Sequence, residues 1–180
     1  MHRATTVALV AAAFCSGLFS APLLGQKGKP VFTVEQIHAL PPTEAGTSLL
    51  DTALQLAGDG SWERIAVGRA WYLGGDKTKG QEIFDQVTGG KKVAGSDWFR
   101  IGRVYAEAGE WDKASQVFDK ALSIDKDDDS GMIEYGALAN VYKDRARAED
   151  LFERAMKKNP REFWHWVSAG GSYLGVRPPQ

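Results

Sequence analysis

The chain has 180 residues, of which 25% are charged, and its formal net charge is −1 at pH 7. This length is enough for one domain with its own core, and there is no basic excess that would indicate nucleic-acid binding. The single cysteine, Cys15, excludes an internal disulfide framework, so the fold must rest on packing alone.

The first 25 residues have the pattern of a secretory signal peptide. Arg3 precedes an apolar run from Val7 to Phe19, and small residues follow it. We expect cleavage between Ser20 and Gln26, and a mature protein that is exported, either periplasmic or secreted. An uncleaved anchor is the alternative, although the run is shorter than a membrane span, which needs about 20 residues. Lipidation of Cys15 is disfavoured because Phe14 precedes it, and no later run is apolar enough to enter a bilayer.

Residues 26–58 are interpreted as a linker followed by capping helices. Gln26 to Pro30 is a short polar linker, and Thr33 to Leu40 is predicted as a brief helix that Pro41-Pro42 stops. A longer helix begins at Thr43 and ends at Gly58-Asp59-Gly60. We expect this helix to cover the outer face of the helices that follow it.

The stretch from Ser96 to Ile124 predicts two helices joined by a tight turn at Gly109. Apolar and small residues recur at three- and four-residue intervals on each side of that turn. They are Trp98, Ile101, Gly102 and Tyr105 on the first helix, and Ala114, Val117, Phe118, Ala121 and Leu122 on the second. One such hairpin cannot bury both of its apolar faces, so it needs neighbours.

The same pattern returns with a period of about 34 residues, which indicates a stacked array of helix pairs. The period links three sets of residues: Gly68, Gly102 and Gly136; Phe84, Phe118 and Phe152; and Val87, Ala121 and Ala155. The first unit is the weakest, because Gly80 stands where a helix-forming residue is expected and should cost about 1 kcal/mol relative to Ala. The turn of the third unit, Tyr142 to Asp144, contains no glycine, and Asp144 is expected to cap the next helix.

A last helix is predicted from Glu162 to Leu174, with more apolar surface than one face can bury. Only Arg161 and Arg177 flank it, which is poor for anionic lipid, so we expect a protein contact, self or foreign. Gly175 to Gln180 is expected to be a disordered tail. The assembly surface predicted on this helix consists of Trp164, Trp166 and Val167.

Residues 59–174 resemble the tetratricopeptide repeat family, whose unit is a 34-residue helix–turn–helix. The middle unit matches the family motif at every site except the closing proline. The third unit matches through Pro160, the first unit is weaker, and a half unit follows with Trp166, Ala169-Gly170 and Tyr173. The resemblance implies an all-α fold: an α-solenoid of about three repeats plus a terminal capping helix.

No catalytic, metal or cofactor site is predicted. His38 and His165 are far apart in the sequence and are expected to be surface or packing residues. The acidic run from Asp125 to Asp129 begins like a calcium loop, but Ser130 and Gly136 stand where that loop needs Gly and Glu. We expect the run to cap the next helix instead, and we expect no enzymatic activity.

The resemblance implies a protein–protein interaction scaffold that binds a peptide or a partner domain on its concave side. The alternative is a structural subunit of an envelope or secretion complex, or a homodimer, that assembles through the last helix. The mature protein is not expected to bind nucleic acid or to insert stably into a membrane.

The concave groove is predicted to lie one residue past the packing face of each first helix. Arg69 and Arg103 would then be neighbours, and two guanidiniums suit the carboxylate of an acidic peptide or of a polypeptide C-terminus. Phe99 and Tyr72 would anchor that peptide. The alternative is that these arginines form no binding site and that Arg103 makes an ordinary ion pair with Glu107, one helical turn further on. The predicted groove residues are Ile65, Arg69, Tyr72, Phe99, Arg100, Arg103, Ala106, Ile133, Ala137 and Asn140.

Overall fold

The computed structural model describes residues 33–178, and every regular element in that range is an α-helix. The predictions for residues 1–32, including the signal peptide, lie outside the described residues. The helices are α1 (Val34–His38), α2 (Pro42–Ala57), α3 (Ser61–Leu73), α4 (Lys77–Thr88), α5 (Gly95–Glu107), α6 (Trp111–Ile124), α7 (Asp129–Val141), α8 (Arg145–Lys158) and α9 (Phe163–Tyr173). The all-α prediction is confirmed.

The helices repeat with the period that the sequence predicts. The first helices of the units, α3, α5, α7 and α9, begin at residues 61, 95, 129 and 163, and the second helices, α4, α6 and α8, begin at 77, 111 and 145. Each helix of one kind therefore starts one full period after the previous one. Three hairpins stack in order, and α9 occupies the place of a fourth first helix, which confirms an α-solenoid with a terminal helix.

Within each hairpin, a glycine of the first helix lies against a phenylalanine of the second. A Cβ built on Gly68, Gly102 or Gly136 would lie 2.6, 2.6 or 2.7 Å from the ring of Phe84, Phe118 or Phe152. Such distances are far below van der Waals contact, so these positions need glycine for the helices to approach. The rings themselves are almost fully buried, with Phe118 at 0% exposure.

Gly80 has the same kind of role, which the sequence reading missed. A Cβ there would lie 2.7 Å from the Cβ of Tyr72 and 2.8 Å from the backbone oxygen of Gly68. Because neither atom can move away easily, glycine is required by the close approach of α3 and α4. The expected advantage of Ala at this position, based on helix propensity alone, is therefore wrong.

The hairpin turns differ in one respect. Gly75 and Gly109 have φ of 110° and 79°, whereas the third turn uses Lys143 with φ of 73°. The next helix is capped as predicted, since Asp144 Oδ1 accepts from the Arg147 backbone N at 3.3 Å. The acidic run before α7 also caps a helix as predicted, through Asp128 Oδ1 and the Gly131 N at 2.8 Å.

The two ends of the array differ in structure. At the N-terminal end, α2 packs on α3 but has no buried residue of its own. At the C-terminal end, the backbone turns at Gly175, and the Val176 N donates to the Gly171 oxygen at 2.9 Å. Arg177 Nη2 then donates to the Tyr142 hydroxyl at 3.1 Å. Residues 175–178 thus contact the domain, where the sequence led us to expect a disordered tail.

Candidate functional site

The apolar row predicted for the groove is buried and does not line an open surface. Ile65, Tyr72, Phe99 and Ile133 are 3–4% exposed, and Ala106 and Ala137 are 2% and 0% exposed. The ring of Phe99 lies 5.4 Å from that of Phe118, and a Cβ on Gly131 of α7 would lie 2.6 Å from it. The prediction that Phe99 and Tyr72 anchor a peptide is wrong for this reason: the next first helix packs over their stripe.

The groove arginines each bind a carboxylate of the next repeat. Arg69 Nε donates to Glu107 Oε2 at 2.8 Å, and Arg103 forms a bidentate pair with Glu134. The hydrogen bond to Glu134 raises the pKa of Arg103. The alternative pairing of Arg103 with Glu107 is therefore wrong, and neither guanidinium is left without a carboxylate. Binding of an acidic peptide to these arginines stays a prediction.

Two other predicted groove residues also make contacts within the protein. Arg100 lies 5.5 Å from the ring centroid of Trp62 and donates to the Ser96 oxygen at 3.2 Å. Asn140 Nδ2 donates to the Ser172 hydroxyl of α9 at 3.0 Å. Asn140 therefore joins the third hairpin to α9 and does not offer its amide to a groove ligand.

The sequence reading missed a polar network between the first two hairpins. The Tyr72 hydroxyl donates to Glu110 Oε2 at 2.6 Å, and Lys77 Nζ donates to the other oxygen at 2.5 Å. These two bonds hold the pKa of Glu110 below its usual value. Burial raises the pKa of the neighbouring Tyr105 to about 12. The only signal in the sequence was an acidic residue directly after the Gly109 turn.

The depression between α6 and α8, of about 470 Å³, is polar, and its principal charges are paired. Arg147 Nη1 contacts Asp119 Oδ1 at 2.7 Å and the Tyr135 hydroxyl at 2.5 Å. Arg154 and Asp150 pair at 3.2 Å. The bond from Arg147 of α8 to Asp119 of α6 joins the second helices of neighbouring hairpins.

The predicted assembly residues of α9 are all exposed. Trp164 is 61%, Trp166 56% and Val167 43% exposed. This agrees with the prediction that α9 has more apolar residues than one face of the helix can bury. The exposed surface is larger than the sequence suggested, because further side chains join it. They are Phe163, Tyr173, Leu174 and Val176.

The underside of α9 contains a buried histidine. His165 is 2% exposed, and neither of its ring nitrogens has a hydrogen-bond partner among the described residues. Its Nε2 lies 3.9 Å from Asp129 Oδ2 at the start of α7. It is a packing residue, one of the two roles that the sequence allowed.

A groove of about 360 Å³ lies between α8 and α9, and it is mainly apolar. Its lining residues are Glu149, Phe152, Met156, Trp166, Ala169, Gly170 and Tyr173. Among residues 33–178, no cluster of His, Cys, Asp or Glu has the geometry of a metal site. In the same range, no helix has both the length and the hydropathy needed to cross a bilayer.

Comparison with known proteins agrees with this architecture. The family model described as tetratricopeptide repeat matches residues 96–128, which correspond to the middle hairpin from α5 to α6. No curated protein and no solved structure matches the sequence. Residues 96–128 therefore form a tetratricopeptide repeat, and the stacked helix pairs on either side continue its 34-residue period.

Proposed function

We propose that the protein is a non-enzymatic protein–protein interaction scaffold and that its main docking surface is the C-terminal helix α9. One observation carries this choice. Of the eleven large hydrophobic side chains that are exposed among residues 33–178, seven lie between residues 163 and 176. Contiguous apolar surface of this kind is typical of interaction sites, whereas isolated exposed residues are ordinary.

The chemistry of α9 favours a protein partner over a lipid surface. The helix has no Lys, Arg, Asp or Glu between Phe163 and Tyr173. Helices that lie on anionic membranes usually carry basic residues along their polar face. The aromatic residues Trp164 and Trp166 are of the type that protein interfaces enrich.

The concave side is a weaker candidate for the main site. A carboxylate ligand at Arg69 or Arg103 would have to displace Glu107 or Glu134. Exchanging one surface ion pair for another adds little free energy of binding. We retain an acidic peptide or a C-terminal carboxylate as a partner for this side only as a second hypothesis. The double change Arg69→Ala with Arg103→Ala would abolish partner capture if that hypothesis is right.

We further propose that the scaffold acts outside the cytoplasm, in the periplasm or as a secreted protein. The support is the signal-peptide pattern of residues 1–25. N-terminal sequencing of protein from its native host is the direct test. An intact Met1 on the native protein would contradict export with cleavage.

The docking surface is tested by partner capture from the native extracytoplasmic fraction. Trp164→Asp with Trp166→Asp should abolish capture, because both residues are exposed on α9 and Trp166 also lines the groove between α8 and α9. The matched control is Trp62→Asp, since Trp62 is 64% exposed at the other end of the array. Equal loss in both variants, or capture that survives the double change, would overturn this assignment. Size-exclusion mass of the same variants tests the alternative, a homodimer or structural subunit that assembles through α9.

A further inference from the structure

The helix α9 repeats the first helix of a unit, and among residues 33–178 no second helix packs on it to close that unit. It starts one period after α7, and Gly170 stands one period after Gly136. In the three hairpins, the equivalent glycines lie against a phenylalanine of the second helix. At Gly170, by contrast, no neighbouring atom of the described residues lies within 4 Å of where a Cβ would be.

Within the described range, the residues around Gly170 are open where the other units are closed. Tyr173 is 50% exposed, whereas Tyr105, at the same position of the middle unit, is 2% exposed. Residues 175–178 do not fill the place, because the backbone turns at Gly175 and Arg177 contacts Tyr142 of the third hairpin. The apolar groove between α8 and α9 is thus the place where the second helix of a fourth unit would pack.

We propose that this groove receives an amphipathic helix of a partner protein, which supplies a phenylalanine over Gly170 and completes a fourth unit. This inference rests on the proposed function and specifies its ligand. The protein's own second helices show the chemistry required. The two second helices that carry the complete motif, α6 and α8, have a small residue four positions before the phenylalanine and another three positions after it. These residues are Ala114, Phe118 and Ala121 in α6, and Ala148, Phe152 and Ala155 in α8.

Charge complementarity adds a further requirement. Each second helix has a basic residue five positions before its phenylalanine. That residue contacts the helix that lies two elements earlier in the chain, which is α2 for α4, α4 for α6 and α6 for α8. Lys79 reaches Asp51 of α2 at 2.8 Å, Lys113 reaches Gln81 of α4 at 2.7 Å, and Arg147 reaches Asp119 of α6 at 2.7 Å. The equivalent positions on α8 are Glu149 and Glu153, which are acidic, more than half exposed and paired only with the exposed Arg145 and Lys157 of the same helix. Such exposed pairs contribute little, so a partner's cation can replace them. We therefore expect a Lys or Arg at this place in the partner helix.

A folded second copy of this protein does not fit the groove. Its own second-helix phenylalanines, Phe84, Phe118 and Phe152, are 1%, 0% and 6% exposed, so they are not available to another molecule. Phe163 is 65% exposed, but it has Trp166 three positions after it where the pattern needs a small residue. A partner helix with its phenylalanine on a free face meets the requirement. This mode of recognition, an amphipathic helix in an apolar groove, is common in protein complexes.

The test uses a peptide with the sequence of α6, Trp111–Ile124, as the probe for the purified protein. A staple between the exposed positions 116 and 120 keeps it helical, because free helices of this length are marginal in water. Fluorescence anisotropy of the labelled peptide measures binding. The control peptide carries Phe118→Ala and should bind at least about tenfold more weakly.

The decisive protein variant is Gly170→Ala. Its Cβ occupies open space in the free protein, so the fold should persist in circular dichroism, but a docked phenylalanine would collide with it. We expect a loss of about tenfold or more in affinity for the α6 peptide. Charge reversal at Glu149 and Glu153 to Lys should weaken binding, and a peptide with Lys113→Glu should restore part of it.

The outcomes separate this inference from the proposed function. A peptide that does not bind, or that binds equally after Gly170→Ala or Phe118→Ala, overturns the helix-docking inference. The proposed docking surface still stands in that case if Trp164→Asp with Trp166→Asp abolishes partner capture. Partner capture that survives this double change would instead overturn the proposed function.

Discussion

The middle hairpin and the terminal helix carry the same motif residues, but their environments are opposite. Gly102 is covered by Phe118, and Tyr105 is almost fully buried, while Gly170 is open and Tyr173 is half exposed. The motif therefore does not set burial by itself. Burial depends on the second helix of the same unit, which α5 has in α6 and which α9 does not have among the described residues.

The largest expected difference between the two regions comes from removing an aromatic side chain. Phe118→Ala should destabilise the protein by about 3–5 kcal/mol, because a fully buried ring leaves a cavity. The matched change at the open end, Trp166→Ala, should cost less, about 1–2 kcal/mol, since Trp166 is 56% exposed and its Nε1 donates to the Pro160 oxygen at 3.1 Å. Urea unfolding followed by circular dichroism measures both. A harmless Phe118→Ala would mean that the inward face has been assigned wrongly.

The glycines give the second comparison, and here the sign should change. Gly102→Ala places a Cβ about where the Phe118 ring lies, and overpacking of this kind costs about 1–3 kcal/mol. Gly170→Ala meets no neighbour among the described residues and replaces a poor helix former, so it should stabilise the free protein by up to about 1 kcal/mol. Thermal unfolding of the two variants is the measurement. Changes of the same sign would contradict the open position of Gly170.

The period in the sequence was sufficient to predict the hairpins, because each unit repeats the local pattern that determines its helices. The recurrence of Gly68, Gly102 and Gly136 placed the first helices correctly, and the apolar excess of α9 correctly predicted its exposure. These features depend on the spacing of residues along one helix or within one pair.

Features that depend on the packing of one unit on the next could not be predicted in this way. A first helix has neighbours on two sides, so the stripe with Ile65 and Phe99 is buried although it lies beside the packing face within its own hairpin. The partners of Arg69 and Arg103 also come from the following unit. Their identity depends on the rotation between units, which the period does not contain.

The turns test whether the last closed hairpin is weaker than the one before it. Lys143 has φ of 73° at the position where the middle hairpin has Gly109 at 79°. A left-handed conformation costs a non-glycine residue about 1–2 kcal/mol, part of which glycine returns through its greater unfolded-state freedom. Lys143→Gly should therefore stabilise the protein by about 0.5–1 kcal/mol, and Gly109→Ala should destabilise it by a similar amount. Thermal unfolding would contradict this if Lys143→Gly were destabilising.

The smallest expected effect on stability concerns the polar groups at two interfaces: the one between the first two hairpins, and the one between α9 and the third hairpin. At the joint between the first two hairpins, Glu110 accepts hydrogen bonds from Tyr72 and Lys77. Under α9, by contrast, His165 has no hydrogen-bond partner for either ring nitrogen among the described residues. The two bonds lower the pKa of Glu110 below 4.5 in the folded state. A carboxylate with a lowered pKa contributes stability that is complete above the unfolded pKa, near 4.5, and that is lost as the pH falls through the folded value.

Glu110→Gln should therefore lower the free energy of unfolding at pH 7 by less than about 1 kcal/mol, because Lys77 is largely exposed. The difference from wild type should shrink as the pH falls below 4.5, since protonation removes the same charge. Urea unfolding at a series of pH values measures it. Tyr72→Phe in the Glu110→Gln background serves as the control and should add less to the loss than it does in the wild type. A wild-type advantage that grows on acidification would show that the charge of Glu110 does not stabilise this joint.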